Sequence, residues 1–119
     1  MVRVLAAALL GAALPFGAAA AERTFTLVTV DGLAPPAQQT LRVTKGDKVE
    51  VNITSNVAGE VHLHGYRLVA KVAPAKTATW RFTAHATGRY RLEWHAAGGS
   101  DAAAPHHGPA LAVLEVLPQ

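Results

Sequence analysis

Residues 43–51 read Val-Thr-Lys-Gly-Asp-Lys-Val-Glu-Val, and this stretch already indicates the fold class. Its Lys-Gly-Asp turn leads into a run in which the apolar residues Val49, Val51 and Ile53 alternate with polar ones. Because successive side chains of a β-strand point to opposite faces, such alternation is typical of a strand with one buried face. The stretch therefore predicts a tight turn that enters a half-buried strand.

Short alternating runs of the same kind fill the rest of the chain, and no segment keeps the period of a helix. Glycine, proline and aspartate separate the runs, as expected for turns between strands. With the run that begins at Val49, about eight short strands predict an all-β protein, an antiparallel Greek-key β-sandwich. The other predicted strands are 24–30, 41–43, 61–64, 68–72, 78–83, 90–95 and 110–117. Their alternation assigns to the interior Trp80, Phe82, Tyr90, Leu92 and Trp94.

Residues 1–21 differ in composition from the rest of the chain. A positive start with Arg3 is followed by a short apolar run, a break at proline and a series of small residues. This order is typical of a secretory signal peptide that is cleaved after Ala20 or Ala21. The apolar run is shorter than the ~20 residues that a membrane-spanning helix needs, so we expect no membrane span after cleavage. Residues 22–119 are then a single exported domain.

The chain contains no cysteine, and its one methionine is Met1. The exported protein is therefore expected to lack sulfur and disulfides, so its core alone must hold the fold. The formal net charge is +3, to which Arg3 contributes, and the basic residues are scattered, which does not favour nucleic-acid binding. The sequence contains no nucleophile elbow, phosphate-binding glycine loop or zinc-protease motif, and we expect no enzymatic activity.

Five of the six histidines fall into three clusters, which are His62 with His64, His95, and His106 with His107. In a strand, residues two apart share a face, so His62 and His64 project together, about 7 Å apart. Glu93 and His95 have the same spacing on a later strand. If these two strands are neighbours, the imidazoles and a carboxylate converge on one patch, which we expect at one end of the sandwich.

Imidazole binds copper, zinc, nickel and iron, and a site without thiolate or thioether is of the nitrogen and oxygen type. This donor set favours Cu(II) over Cu(I), while zinc accepts the same ligands and stays open. The alternative is a set of exposed histidines without a metal, in which Glu93 pairs with an arginine. The candidates are Arg67, Arg89 and Arg91. His85 lies in a turn and is expected at the surface. The predicted metal ligands are His62, His64, His95, His106 and His107.

Several stretches, taken in order, resemble segments of cupredoxin domains. Residues 43–51 are similar to the strand, turn and strand near the start of such domains. The sequence Val-His-Leu-His-Gly-Tyr at 61–66 resembles the strand that carries the first histidine ligand. Residues 87–95 resemble the Gly-x-Tyr-x-x-x-Cys stretch before the copper-binding loop, and 111–116 the closing strand. The likeness is nearest to small periplasmic cupredoxin-like domains with a His-x-His-Gly-Tyr strand, and it spans roughly 40–117.

This resemblance implies a copper protein of the periplasm that is not a blue-copper electron carrier. Trp94 stands where the family has its cysteine, and the axial methionine of the loop is missing. A blue-copper site needs a cysteine thiolate together with two histidines, so it cannot form here.

The resemblance also assigns two of the histidine positions. The first histidine of the family corresponds to His64, with His62 as the other option. The loop histidine of the family corresponds to His106 or His107. His95 has no counterpart and enters the predicted site through its spacing alone.

Two functions of different kinds follow from these observations. The first is a periplasmic copper-binding protein with a histidine-rich site, which acts in metal binding, delivery or storage. The second is a metal-free structural or interaction module of the cell envelope, with another envelope protein as its partner. A copper-dependent oxidase ranks below both, because one mononuclear site lacks the further copper centres of multicopper oxidases. The positions of His62, His64 and His95 relative to one another distinguish the first function from the second.

Overall fold

The structure, a computed structural model, describes Gly11, residues 20–98 and residues 110–119. Its regular structure consists of eight strands and one short 3-10 turn at Pro36–Gln38. The strands are β1 (Glu22–Thr29), β2 (Thr40–Thr44), β3 (Lys48–Ser55), β4 (Gly59–Leu63), β5 (Leu68–Val72), β6 (Ala78–Thr83), β7 (Gly88–Ala96) and β8 (Ala112–Leu117). The predicted all-β class and the number of strands are confirmed.

The strands form two sheets that pack face to face as a sandwich. One sheet has the order β1-β3-β6 and the other the order β2-β8-β7-β4-β5. Both are mixed, because β1 runs parallel to β3 and β2 runs parallel to β8. The predicted sandwich is confirmed, but these two pairs differ from the antiparallel pairing that we expected. The alternation of apolar and polar residues indicates which face of a strand is buried and says nothing of the direction of its neighbour.

The inward-facing apolar residues of both sheets form one core. Val49, Val51 and Ile53 are all buried, as their alternation predicts. Burial of an aliphatic side chain of this size stabilises the fold by about 1.5–3 kcal/mol. The predicted interior positions are confirmed as well: they are Trp80 and Leu92, which are buried, and Phe82, Tyr90 and Trp94, which pack against the core.

The Lys-Gly-Asp turn between β2 and β3 is held by the side chain of its aspartate. Asp47 is only 4% exposed, and its Oδ2 accepts a hydrogen bond of 2.9 Å from the backbone amide of Thr44. Its Oδ1 accepts a second, of 3.1 Å, from the amide of Ala21, just before β1. Arg23 Nε lies 3.5 Å from Oδ2. This one carboxylate therefore links the turn to the first strand of the other sheet.

Folding stability is expected to decrease in acid because of Asp47. The hydrogen bond from Thr44 is the largest cause that lowers the pKa of this carboxyl; burial opposes it, and Ala21 and Arg23 lower the pKa further. A carboxyl with a lowered pKa in the folded state stabilises that state fully above its unfolded pKa of about 3.9 and loses the contribution as the pH falls below it. Urea unfolding between pH 7 and pH 2.5 should show this loss. The variant Asp47→Asn should flatten the profile, whereas Asp31→Asn, on an exposed turn, should keep it; equal profiles for parent and Asp47→Asn would contradict the assignment.

The described residues contain no helix that is long and apolar enough to cross a membrane. Of the predicted signal peptide, only Gly11, Ala20 and Ala21 lie among the described residues. The signal peptide and its removal therefore stay predictions.

Candidate metal centre

The two strands that carry the first three candidate histidines are direct neighbours. β4 and β7 are antiparallel, and their register sets His62 opposite Glu93 and Glu60 opposite His95. His64 follows directly after β4, where its amide bonds to the carbonyl of Arg91. The condition on which the convergence of these side chains depended, that the two strands are neighbours, is therefore met. We call the five side chains that share this face the His–Glu patch; they are Glu60, His62, His64, Glu93 and His95.

The rings of His62 and His95 are in contact within the patch. Their centroids lie 4.3 Å apart, with an angle of 35° between the ring planes. His62 Nε2 also lies 3.0 Å from Glu60 Oε2. Residues two apart on one strand share a face, so Glu60 reaches His62 along β4 while His95 reaches it across the strands. The two histidines are thus brought together from strands about 30 residues apart in sequence.

Glu93 lies at the centre of the patch and is largely shielded, its side chain being 15% exposed. Its Oε2 lies 3.1 Å from His64 Nε2 and 3.9 Å from His95 Nε2. Its Oε1 lies 3.4 Å from Arg91 Nε, so one of the arginine pairs anticipated from the sequence is present. A single carboxylate therefore contacts two of the predicted ligands and one cation at the same time.

Glu60 is a member of the patch that the sequence reasoning missed. The hydrogen bond from His62 is the main cause that lowers the pKa of this carboxyl; burial acts in the opposite direction, and the positive charge of Lys71 lowers the pKa further. Lys71 lies opposite Glu60 on β5. The sequence contained enough information to predict this role of Glu60, because Glu60 precedes His62 by two residues and continues the polar face of β4.

The patch lies on the outward face of the larger sheet. The residues between its members on β4, Val61 and Leu63, are buried in the core. β7 ends at Ala96, directly after His95. Because β4 runs in the opposite direction, His64 lies farther from this end of β7 than His95 does. The described side chains thus converge on the outward face of the larger sheet, and their expected position at one end of the sandwich stays a prediction.

Three histidines are not among the described members of the patch. His85 follows β6 and is exposed, as expected, with its ring 4.7 Å from that of Tyr66. His106 and His107 lie outside the described residues. Their proposed role as ligands stays a prediction.

Trp94 occupies the inward position of β7 at which the resemblance puts a cysteine. Its indole packs against two glycines of neighbouring segments. A Cβ on Gly32 would lie 2.6 Å from Trp94 Cδ1, and one on Gly59 would lie 2.5 Å from Cη2. Real Cβ atoms do not approach so closely, so both positions require glycine. The inward position of β7 is thus occupied by an indole, and a blue-copper site does not fit there.

The chemistry of the patch does suit a divalent ion of the nitrogen and oxygen type. Three imidazoles and two carboxylates match the ligands that Cu²⁺ and Zn²⁺ accept. In the described part of the chain, however, no three His, Cys, Asp or Glu side chains are already arranged around an ion position. The ring nitrogens of His62 and His64 face carboxylates. With these contacts kept, Nδ1 of each ring is the nitrogen that remains for a metal ion.

Comparison with known proteins shows the fold class. No protein-family model matches the chain, and no curated protein sequence matches it. A heme-copper terminal oxidase has a similar structure, with 19% identity and a TM-score of 0.60 over 76% of this chain and 60% of that one. A multicopper oxidase has 21% identity and a TM-score of 0.59 over 82% and 42%. A copper-containing nitrite reductase from Thermus scotoductus SA-01 has 25% identity and a TM-score of 0.59 over 83% and 28%.

These similarities define the chain as a cupredoxin-like β-sandwich. The chain spans less than two thirds of the length of each of these three proteins, between 28% and 60%. At this level of identity the likeness concerns the fold, and the site must be argued from the residues of this chain.

Proposed function

We propose that this protein is an exported, periplasmic copper-binding protein whose site is the His–Glu patch, and that it acts in metal binding, delivery or storage. The observation that carries this proposal is the position of the Glu93 carboxylate, which contacts Nε2 of both His64 and His95. The stacking of His62 on His95 adds a third imidazole to the same face. We propose a binding protein rather than an enzyme.

The donor set supports Cu(II) as the bound ion. Among the divalent first-row metals, copper binds nitrogen and oxygen ligands most tightly, and the chain offers no thiolate that would stabilise Cu(I). Proteins of similar fold are described as a multicopper oxidase and a copper-containing nitrite reductase. Because the two oxidation states prefer different ligands, such a site suits holding Cu(II) better than rapid electron transfer.

The carboxylates have a supporting role in this proposal. A metal-binding histidine commonly donates its second ring N–H to a carboxylate, which fixes the tautomer and the ring orientation. Glu60, at 3.0 Å from His62 Nε2, is suited to this task and leaves Nδ1 of that ring for the metal. Arg91 holds Glu93 in place from one side. We propose that His106 or His107 completes the ligand set.

Calorimetric titration of matched variants with Cu(II) tests this assignment. The parent protein should bind one Cu(II) ion per chain. Because His95 and Glu93 belong to the ligand shell or orient it, His95→Ala and Glu93→Gln should each weaken the affinity about 10-fold or more. His85→Ala removes a histidine outside the patch and should leave the affinity unchanged. Equal affinities in parent and patch variants would place the metal elsewhere.

A second candidate function is a metal-free interaction module that binds another envelope protein. It is favoured by apolar side chains on two linked turns: Val30 is 50% exposed, Leu33 68% and Val57 36%. The turns are joined because the Asp31 amide donates to Asn56 Oδ1 at 2.8 Å. This function would be favoured by a protein that binds no copper but cross-links to an envelope protein from position 57, and that loses this cross-link when Leu33 is changed to Glu.

A further inference from the structure

We propose that the exported protein begins at Ala21, and that the α-ammonium group created there forms an ion pair with the buried carboxylate of Asp47. This inference concerns how the fold is completed after export and does not depend on the proposed copper site. In the cleavage step a signal peptidase hydrolyses the Ala20–Ala21 peptide bond with one water molecule. The products are a carboxylate on Ala20 and an amine on Ala21, which takes up a proton at neutral pH.

The first observation is that Ala21 is already part of the folded domain. Its nitrogen donates to Asp47 Oδ1 at 3.1 Å, and its carbonyl accepts a 2.9 Å hydrogen bond from the amide of Lys48. Ala20, by contrast, is exposed. In the described part of the chain, the hydrogen bonds that join the N-terminal segment to the domain thus begin at Ala21.

The second observation is the environment of the carboxylate that receives this nitrogen. Asp47 is 4% exposed, and its other oxygen is bound by the Thr44 amide, with Arg23 Nε at 3.5 Å. A buried carboxylate is stabilised more by a charged donor than by a neutral amide, because charge-assisted hydrogen bonds are about twice as strong. Cleavage at this bond thus converts an existing amide contact into an ion pair without moving the chain.

Other cleavage positions lack this benefit. Cleavage after Ala21 removes the donor to Asp47 and the acceptor for Lys48 at the same time. Cleavage before Ala20 leaves a neutral amide at position 21 and places the ammonium group in solvent. The small residues that signal peptidases require are present for cleavage after Ala20 and after Ala21 alike, so the contacts of Ala21 decide between the two.

The cleavage position is tested by producing the full 119-residue chain in a bacterium that exports it and measuring the intact mass of the exported protein. The expected mass is that of residues 21–119. The proposal is overturned if the measured mass is that of a chain that begins at Glu22, at Ala20 or at any other residue. The mass of the uncleaved chain overturns it as well.

The ion pair is tested on the same exported protein by titrating the N-terminal amine by NMR. An α-amino group normally has a pKa of about 7.7–8.0, and pairing with Asp47 should raise it by about one unit relative to Asp47→Asn. Asp31→Asn is the control and should match the parent. The same amine pKa in parent and Asp47→Asn overturns the ion pair.

A second measurement covers the case in which Asp47→Asn fails to fold. Acetylation of the Ala21 amine removes its charge without changing the sequence, and it should lower the melting temperature of the parent by about 5 °C. An unchanged melting temperature overturns the ion pair.

Discussion

Replacing Gly59 with valine is expected to lower the free energy of unfolding by about 3 kcal/mol, at the upper end of the usual cost of overpacking a core. A Cβ at this position would lie 2.5 Å from Cη2 of Trp94 and 2.9 Å from the backbone oxygen of His95. The indole could turn aside only by leaving its place against the core, and the backbone oxygen belongs to β7 and cannot move alone.

Urea unfolding of matched variants measures this effect. Ala58→Val introduces the same side chain at the adjacent, exposed position and should change stability by less than about 0.5 kcal/mol. Combining Gly59→Val with Trp94→Leu should recover part of the loss, because the smaller side chain makes room for the new methyl groups. A Gly59→Val protein as stable as Ala58→Val would show that Trp94 does not fill this space.

The variant Asp47→Ala is expected to destabilise the protein by about 3 kcal/mol, since hydrogen bonds to charged groups contribute about 1.5–3 kcal/mol and their buried donors lose an acceptor. The carboxylate accepts from the amides of Thr44 and Ala21 and pairs with Arg23. Removing it frees the start of β1 from the turn before β3.

Thermal and urea unfolding of Asp47→Ala and Asp31→Ala provide the comparison. Asp31 lies on an exposed turn, and its loss should cost no more than about 1 kcal/mol. Equal destabilisation by the two substitutions would mean that the buried carboxylate has no special role.

Much of the fold could be predicted from alternation alone. The run Val49, Val51, Ile53 is buried, and the β-sandwich with eight strands is confirmed. Strand direction could not be predicted in this way. β1 and β3 are parallel because β2, which lies between them in sequence, belongs to the other sheet, and this crossing depends on contacts distant in sequence.

The residues of the candidate site could be predicted from the sequence better than its position in the fold. Spacing by two residues correctly put His62 and His64 on one face and Glu93 and His95 on another strand of the same face. That this face looks outward follows from the alternation, which assigns Leu92 and Trp94 to the interior. The pairing of β4 with β7 and its register, which bring the side chains together, are not contained in sequence spacing. Glu60 could also have been predicted, because it extends the same polar face of β4 two residues before His62.

Trp94 shows how one residue separates this chain from the blue-copper pattern. From the sequence, it indicated only that a cysteine was missing. In the structure its indole fills the space against Gly32 and Gly59. The inward position therefore lacks the cysteine of the blue-copper pattern and is also occupied by a large side chain. The metal site that we propose is instead the His–Glu patch on the outward face of the larger sheet.

The most direct test of the copper proposal is an NMR titration of the parent protein with Cu(II), following the ring protons of each assigned histidine. Paramagnetic Cu(II) broadens the signals of its ligands first. The rings of His62, His64 and His95 should broaden together below one equivalent of Cu(II), while the ring of His85 stays sharp. Uniform broadening of all these rings, or none at one equivalent, would contradict a copper site at the His–Glu patch.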